Sequence, residues 1–465
     1  MSRKFQCKAI PSSWIEKQGR RLDCGPYMSG AMEARELLRK LKARKDHLQN
    51  LTEGGISGII NAGRITRRWV DTTEHGYPFL SSSDILQADL ANISHIAKSV
   101  ARKNSQLLIK TSWILITRSG NIGRMAYVRA DMNGMACSED VLRIIPDEST
   151  IKPGYLYAYL STKFGVPIVI SGTYGSIITH LEPNHIADLP VPRLGAVEDQ
   201  AHKLIQQAAD LRVEGAKAFN EAKFIFDEML EVRDNDKPLC GLSFSTVNAS
   251  SLLKRVDAAY HSPSAIRIEG NIHSGSHTSV GEIANVMLPP ISSRVMTNEP
   301  DYGYPYFSGD ALYYWTPEPK GHLARKSPKI ETLIVNEEGI LVQAFGQTYG
   351  LICRPTWIIP SLVGSAISGL MLRLTSPDKR MLRYLYAFIA SRAGQIVTKR
   401  LPYGGSIPHM NEGQYREVPV PLFEDGLIDR VCEKMEIFIN SKTTSNALES
   451  QARTLVERAI EEGGC

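Results

Sequence analysis

From Val197 onward, small or apolar residues recur at Ala201, Leu204, Ala208, Leu211, Gly215, Ala218, Ala222, Ile225 and Met229, in alternating steps of four and three. This is the seam spacing of a coiled coil, and it predicts one long helix within residues 196–236. A second segment, within residues 423–465, carries Ile428, Val431, Met435 and Phe438 on the same spacing. It then crosses a polar stretch through Lys442 and Asn446 and resumes one residue out of step at Leu448, Ala452, Leu455 and Ala459. At ~1.5 Å per residue a helix of roughly 35 residues is ~50 Å long, more than one domain needs to cover its own core. The two helices are therefore expected to pair with each other. Elsewhere the pattern is that of strands ending in glycine turns. Residues 113–117 run into Arg118-Ser119-Gly120-Asn121-Ile122-Gly123-Arg124, and residues 340–343 into Ala344-Phe345-Gly346-Gln347. The most apolar window, residues 357–372, is broken by Pro360, Gly364, Gly369 and three serines, so it reads as buried strands and turns and not as a membrane span.

The strand-like segments occur twice. Tyr77-Pro78-Phe79-Leu80-Ser81 returns as Tyr304-Pro305-Tyr306-Phe307-Ser308, an offset of 227 residues. Tyr155-Leu156-Tyr157-Ala158-Tyr159-Leu160 returns as Tyr384-Leu385-Tyr386-Ala387-Phe388-Ile389, an offset of 229. At that offset Tyr174-Gly175 meets Tyr403-Gly404, His180 meets His409, and Leu189-Pro190-Val191-Pro192 meets Val418-Pro419-Val420-Pro421. A period this long is a duplicated domain, since solenoid units run ~20–50 residues. The expected fold is α+β: an N-terminal extension (1–19), a first domain (20–195), a central helix (196–236), a second similar domain (237–422) and a C-terminal helix (423–465).

Length and composition agree with an ordered chain of several domains: 465 residues, 43% hydrophobic and 22% charged. The basic N-terminus is followed by no apolar core, so the cytoplasm is the expected location. Seven widely spread cysteines without a C-x-x-C pair argue for reduced thiols.

Charge changes the picture. Residues 197–234 and 424–462 each carry nine acidic and five basic side chains, so the helices sum to −8 and the rest of the chain to +13. Basic domains joined by acidic helices point to a polyanion ligand, because Lys and Arg that neutralise phosphates supply the sequence-independent part of DNA affinity. The candidate contacts are Arg67, Arg68, Arg118, Asn121, Arg124, Tyr174 and Ser176 in the first half. In the second half they are Lys326, Gln343, Gln347, Lys399, Arg400, Tyr403 and Ser406. These are basic, amide, hydroxyl and aromatic groups at strand-to-turn positions, where glycine allows close approach and side chains can hydrogen-bond bases or phosphates.

Signals of catalysis are weak. The one Pro-Pro, Leu288-Pro289-Pro290-Ile291, lacks the flanks of an amino-methyltransferase motif, and Glu318-Pro319-Lys320 has Pro where a nuclease needs a strand residue. His273 and His277 are four apart, as helix-borne metal ligands would be, but Gly270, Gly275 and Ser276 argue against a helix there. No catalytic residue, metal or cofactor is expected.

The repeated blocks, in this order and each followed by a long helix, resemble the specificity (S) subunit of Type I restriction-modification systems over roughly residues 20–462. The resemblance implies two target recognition domains, each reading one half of a split double-stranded DNA sequence, and an antiparallel coiled-coil spacer. It also implies docking of DNA methyltransferase (M) subunits, two of them, and through these of restriction (R) subunits. The chain departs from the family at the start of the central helix, where Glu198-Asp199-Gln200-Ala201-His202-Lys203 replaces the usual Gln-Gln-Lys-Ile. Read from the residues alone, a DNA-acting nuclease or methyltransferase with an unrecognised site, or a protein-binding adaptor, remain the alternatives.

Overall fold

The computed structural model describes residues 7–463 apart from 18, 19, 21, 92, 173–179, 235, 237–243, 245 and 254. The chain divides into two compact units, residues 1–213 with 444–465, and residues 214–443. This division differs from the tandem one expected from the repeat, because part of each long helix is built into the core of each unit.

The first unit holds ten short strands: β1 (Lys45–His47), β2 (Ile59–Ile60), β3 (Trp69–Val70), β4 (Gly76–Leu80), β5 (His95–Ala97), β6 (Ile114–Thr117), β7 (Met125–Tyr127), β8 (Ala136–Cys137), β9 (Val141–Ile144) and β10 (Pro190–Pro192). They form a ribbon β1-β10 and two four-stranded sheets, ordered β2-β9-β6-β7 and β3-β5-β4-β8. The second unit holds β11 (His277–Ser279), β12 (Asn285–Met287), β13 (Met296–Thr297), β14 (Gly303–Phe307), β15 (His322–Ala324), β16 (Ile340–Gln343), β17 (Pro355–Trp357), β18 (Ala366–Ile367), β19 (Met371–Thr375) and β20 (Pro419–Pro421). Its ribbon is β11-β20 and its sheets are β12-β19-β16-β17 and β13-β15-β14-β18, the same order element for element.

Register repeats as well. In β4, Gly76 faces Ala97 and Tyr77 faces Ile96; in β14, Gly303 faces Ala324 and Tyr304 faces Leu323. The glycines are required by closeness: a Cβ at Gly76 would meet His95 Cβ at 2.8 Å, and one at Gly303 would meet His322 Cβ at 2.8 Å. The repeated tyrosine blocks are buried and lie in the helices Pro153–Leu160 and Lys379–Ala390. Their hydroxyls bolt the helix to the Pro-Val-Pro strand, which is paired along one edge and leaves carbonyls over on the other. Tyr155 and Tyr159 donate to the carbonyls of Pro192 and Pro190, and Tyr384 donates to that of Pro421 at 2.9 Å. Burial raises the pKa of all three phenols, which keeps them protonated as donors.

The long helices are Ala196–Met229 and Asp425–Glu461. In the second unit Gly215 faces Ser441, Phe219 stacks on Phe438 at 4.3 Å and Glu221 pairs with Lys434 at 2.7 Å, so rising numbers on one helix meet falling numbers on the other and the pairing is antiparallel. In the first unit Ala201, Ile205 and Ala209 share one core with Ala452, Val456 and Ile460. The stripe differs from the sequence reading in three places. Met229 is exposed and Leu230 buried in its stead, Arg212 is buried beside a half-buried Leu211, and the polar stretch of the second helix is itself buried at Ser441, Lys442, Ser445 and Glu449.

Candidate nucleic-acid interface

In the first unit the site grows out of β6, whose four residues are all buried. Beyond Thr117 the chain turns back to β7. The Thr117 hydroxyl donates to the Asn121 carbonyl and accepts from the Arg124 N–H at 3.0 Å, while Gly120 (φ 70°) and Gly123 (φ 84°) take the left-handed conformations the loop needs. Asn121 is left exposed at the tip, and Arg124 is half-buried beside it.

Arg118 behaves differently. Its Nε donates to the Leu181 carbonyl at 3.1 Å and its Nη2 pairs with Glu182, whose other oxygen accepts from Asn61 Nδ2 at 3.0 Å. Arg118, Glu182 and Asn61, with Gly63, Arg64 and His180, line a cavity of about 310 Å³. The Nδ1 of His180 is buried there without a hydrogen-bond partner among the described residues. Arg67 pairs with Glu139 at 3.1 Å and lies over the Phe79 ring, whereas Arg68 is exposed. Tyr174 and Ser176 fall outside the described residues.

In the second unit β16 leads into an equivalent loop. Gln347 donates from Nε2 to the Ser406 carbonyl at 2.6 Å, and the Gly346 N–H donates to the Pro408 carbonyl at 3.1 Å, so the loop after β16 is tied to the loop around residue 406. Tyr403 and His409 exchange backbone hydrogen bonds, their rings 4.3 Å apart, and Phe345 stacks on His409 at 5.6 Å with 13° between planes. Gln347, Tyr403 and Ser406 are exposed, with Tyr349 and Ile407 beside them in the chain. The other candidates lie elsewhere. Lys326 is exposed on the loop after β15. Gln343 folds back, Nε2 to the Phe345 carbonyl at 2.9 Å, leaving Oε1 buried and unbonded among the described residues. Lys399 is half-buried, and burial depresses its ammonium pKa. Arg400 is a correction: it is buried, pairs with Glu269 and lies over the Tyr260 ring, so its guanidinium serves the interior.

Asn61 and Glu182 carried no signal in the sequence, because neither lies in a repeated block. Arg255, which sits over Tyr403 and donates to the Leu401 carbonyl at 2.6 Å, was likewise hidden.

Residues 50–192 match the family model described as the Type I restriction modification DNA specificity domain. Arg67, Arg68, Arg118, Asn121, Arg124, Tyr174 and Ser176 fall within the matched span, and the second unit repeats the strand order of the first. Among solved structures, the chain is similar to a Type-I restriction-modification system S subunit from M. genitalium, at 11% identity and TM-score 0.34, covering 91% of this chain and 96% of that one. It is also similar to the HsdS subunit from Thermoanaerobacter tengcongensis, at 13% identity and TM-score 0.28, covering 90% and 97%. A third similar structure, described in terms of complex assembly and conformational transition of the type I R-M system, has 13% identity and TM-score 0.27, covering 90% and 97%. No curated protein matches the chain.

Proposed function

We propose that this chain is the DNA-reading and scaffolding subunit of a Type I restriction-modification complex. Each recognition domain reads one half of a bipartite double-stranded target, and catalysis resides in partner subunits. The observation that carries the reading is the specificity-domain match over residues 50–192, taken with the return of the same strand order in the second unit. The groups best placed to meet DNA are Arg68, Asn121 and Arg124 in the first unit and Gln347, Tyr403, Ser406 and Lys326 in the second. Arginine and lysine meet phosphates, amides can read adenine bidentately, and an exposed aromatic edge can pack on a thymine methyl. The paired helices hold the two readers in one polypeptide and offer an acidic surface to two methyltransferase subunits, through which restriction subunits join. No helix among the described residues is long and apolar enough to cross a membrane.

The test is methylation-site sequencing of cells carrying the chain with a co-expressed methyltransferase. The expected result is a split motif, one half of which alone changes when residues 20–195 are replaced by the matching domain of a relative. Methylation or cleavage by the purified chain alone would favour the enzyme reading. Loss of DNA binding at every salt concentration would favour the adaptor.

A further inference from the structure

His273 lies in the last turn of a Pro263–Ser274 helix, which forms despite Gly270 because Ala265, Ile268 and Ile272 bury one face. His277 opens β11 three residues beyond its end. The helix argued against from sequence exists for the first of the two and stops before the second, and the intervening turn brings their rings together. Nδ1 of His273 is 3.2 Å from Nε2 of His277, with ring centroids 4.7 Å apart. The other nitrogen of His277, Nδ1, is 3.0 Å from the Gly275 carbonyl oxygen. A carbonyl only accepts, so neutral His277 carries its proton on Nδ1 and turns the lone pair of Nε2 toward His273. A backbone carbonyl fixing the tautomer in this way is the usual support of a metal-ligating histidine. The spacing also fits. Two nitrogens each about 2.05 Å from a shared zinc and separated by a tetrahedral angle lie about 3.3 Å apart.

We propose that His273 Nδ1 and His277 Nε2 form a surface chelate for a divalent first-row metal ion of the imidazole-preferring kind, such as Ni²⁺, Cu²⁺ or Zn²⁺. The ion takes the place of the hydrogen between the two rings, the neutral His273 carrying its proton on Nε2 instead of Nδ1, and water completes the coordination. Both imidazoles are exposed, so the ion enters directly from solvent. Glu282, which accepts from Thr278 Oγ1 at 2.5 Å and from the Ser279 N–H at 3.0 Å, adds negative charge within electrostatic reach of His277. Among the described residues no group of three or more His, Cys, Asp or Glu is arranged for a metal, so the two imidazoles are the whole protein contribution. A bound ion would staple the helix end to β11, the strand that pairs with β20 just ahead of the C-terminal helix.

The experiment is calorimetric titration of the untagged full chain, thiols blocked with iodoacetamide, with NiCl₂ alone. One equivalent should bind. His273→Ala and His277→Ala should each weaken that binding at least tenfold, because either change turns a two-tooth chelate into a single imidazole, and the double variant should show no binding at this site. Both side chains are exposed, so metal-free melting should be unchanged and loss of binding is not loss of fold. Absence of binding to the unsubstituted chain, or binding indifferent to both substitutions, would overturn the proposal.

Discussion

Glu449 is fully buried in the first unit, yet it is ionised. Burial pushes its pKa up, but Arg212 and Arg453, with hydrogen bonds from Tyr157 (2.7 Å) and Arg212, overcome that and hold it at about 2, against an ordinary 4.5. A carboxylate whose folded pKa is depressed contributes stability that is complete above its unfolded pKa and is lost as pH falls through the folded one. Urea titrations should therefore show stability declining between about pH 5 and pH 2, and Glu449→Gln should flatten that decline. Breaking the pair with Glu449→Ala should cost ~3–5 kcal/mol, whereas replacing both partners, Arg212→Met with Glu449→Met, should cost less than the single change. Arg143 on β9 is equally hidden in the sequence. Its guanidinium donates to the carbonyls of Cys137, Ser138 (3.0 Å) and Val141, and in the second unit Arg373 on β19 donates to those of Leu333 (2.7 Å) and Ile334 (2.8 Å). Burial lowers the Arg373 pKa to about 10, still charged at neutral pH. Each arginine fills carbonyls that no strand pairs. Arg143→Met should lower the unfolding free energy by about 3 kcal/mol or more, measured by urea denaturation, because it leaves buried acceptors bare. Nothing in Val141-Leu142-Arg143-Ile144 marks the arginine as interior, since a charged side chain between apolar ones reads as the wet face of a strand.

The helices show where reading by apolarity slips and why. Their existence and pairing were legible, because alternating steps of four and three bring small and apolar residues onto one face only if the chain is helical. The phase was misread by one residue at Leu211 and again at Leu448, where the better buried neighbours are Arg212 and Glu449. Choosing the leucine assumes that the interior is apolar, and the ion pair breaks that assumption on both helices at once. The polar stretch around Lys442 looked like a lapse in the seam for the same reason. Lys442 is buried in the second unit, where burial and the charge of Arg354 lower its pKa to about 7. Gly215 is the point of closest approach: a Cβ there would lie 2.7 Å from Ser441 Cβ. Gly to Ala in an exposed helix normally gains up to ~1 kcal/mol. Here the sign should reverse, with Gly215→Val costing ~1–3 kcal/mol in thermal unfolding followed by circular dichroism, and the reciprocal exchange of Gly215→Ser with Ser441→Gly recovering most of the loss. Two-residue strands such as β2, β3 and β8 had no legible signature, being too short to show any period.

Across the whole molecule the repeat was the most legible feature and the candidate DNA contacts the least. The duplicated blocks mark what both halves need in order to fold, the tyrosine helix, the Pro-Val-Pro strand and the glycine under β5 or β15, while a reader of sequence must differ between halves. Arg118 and Gln347 show this: one offset, yet one is locked to Glu182 and the other to a loop carbonyl. The +13 outside the helices should appear as a steep fall of DNA affinity with salt. Arg68→Ala should reduce that slope by about one unit if it meets a phosphate, and Arg400→Ala should leave the slope alone while lowering stability. Competition binding on duplex DNA from about 50 to 200 mM salt would separate them. The ribbons β1-β10 and β11-β20 carry a consequence for inheritance. In each unit the first strand lies hydrogen-bonded beside the last, His47 opposite Pro190 and Ser279 opposite Pro419. Two crossovers in a gene, at codons about 140 residues apart, would thus cut the polypeptide at adjacent points of one two-stranded clasp. Whatever lies between can diverge or be imported whole without refolding the frame that holds it.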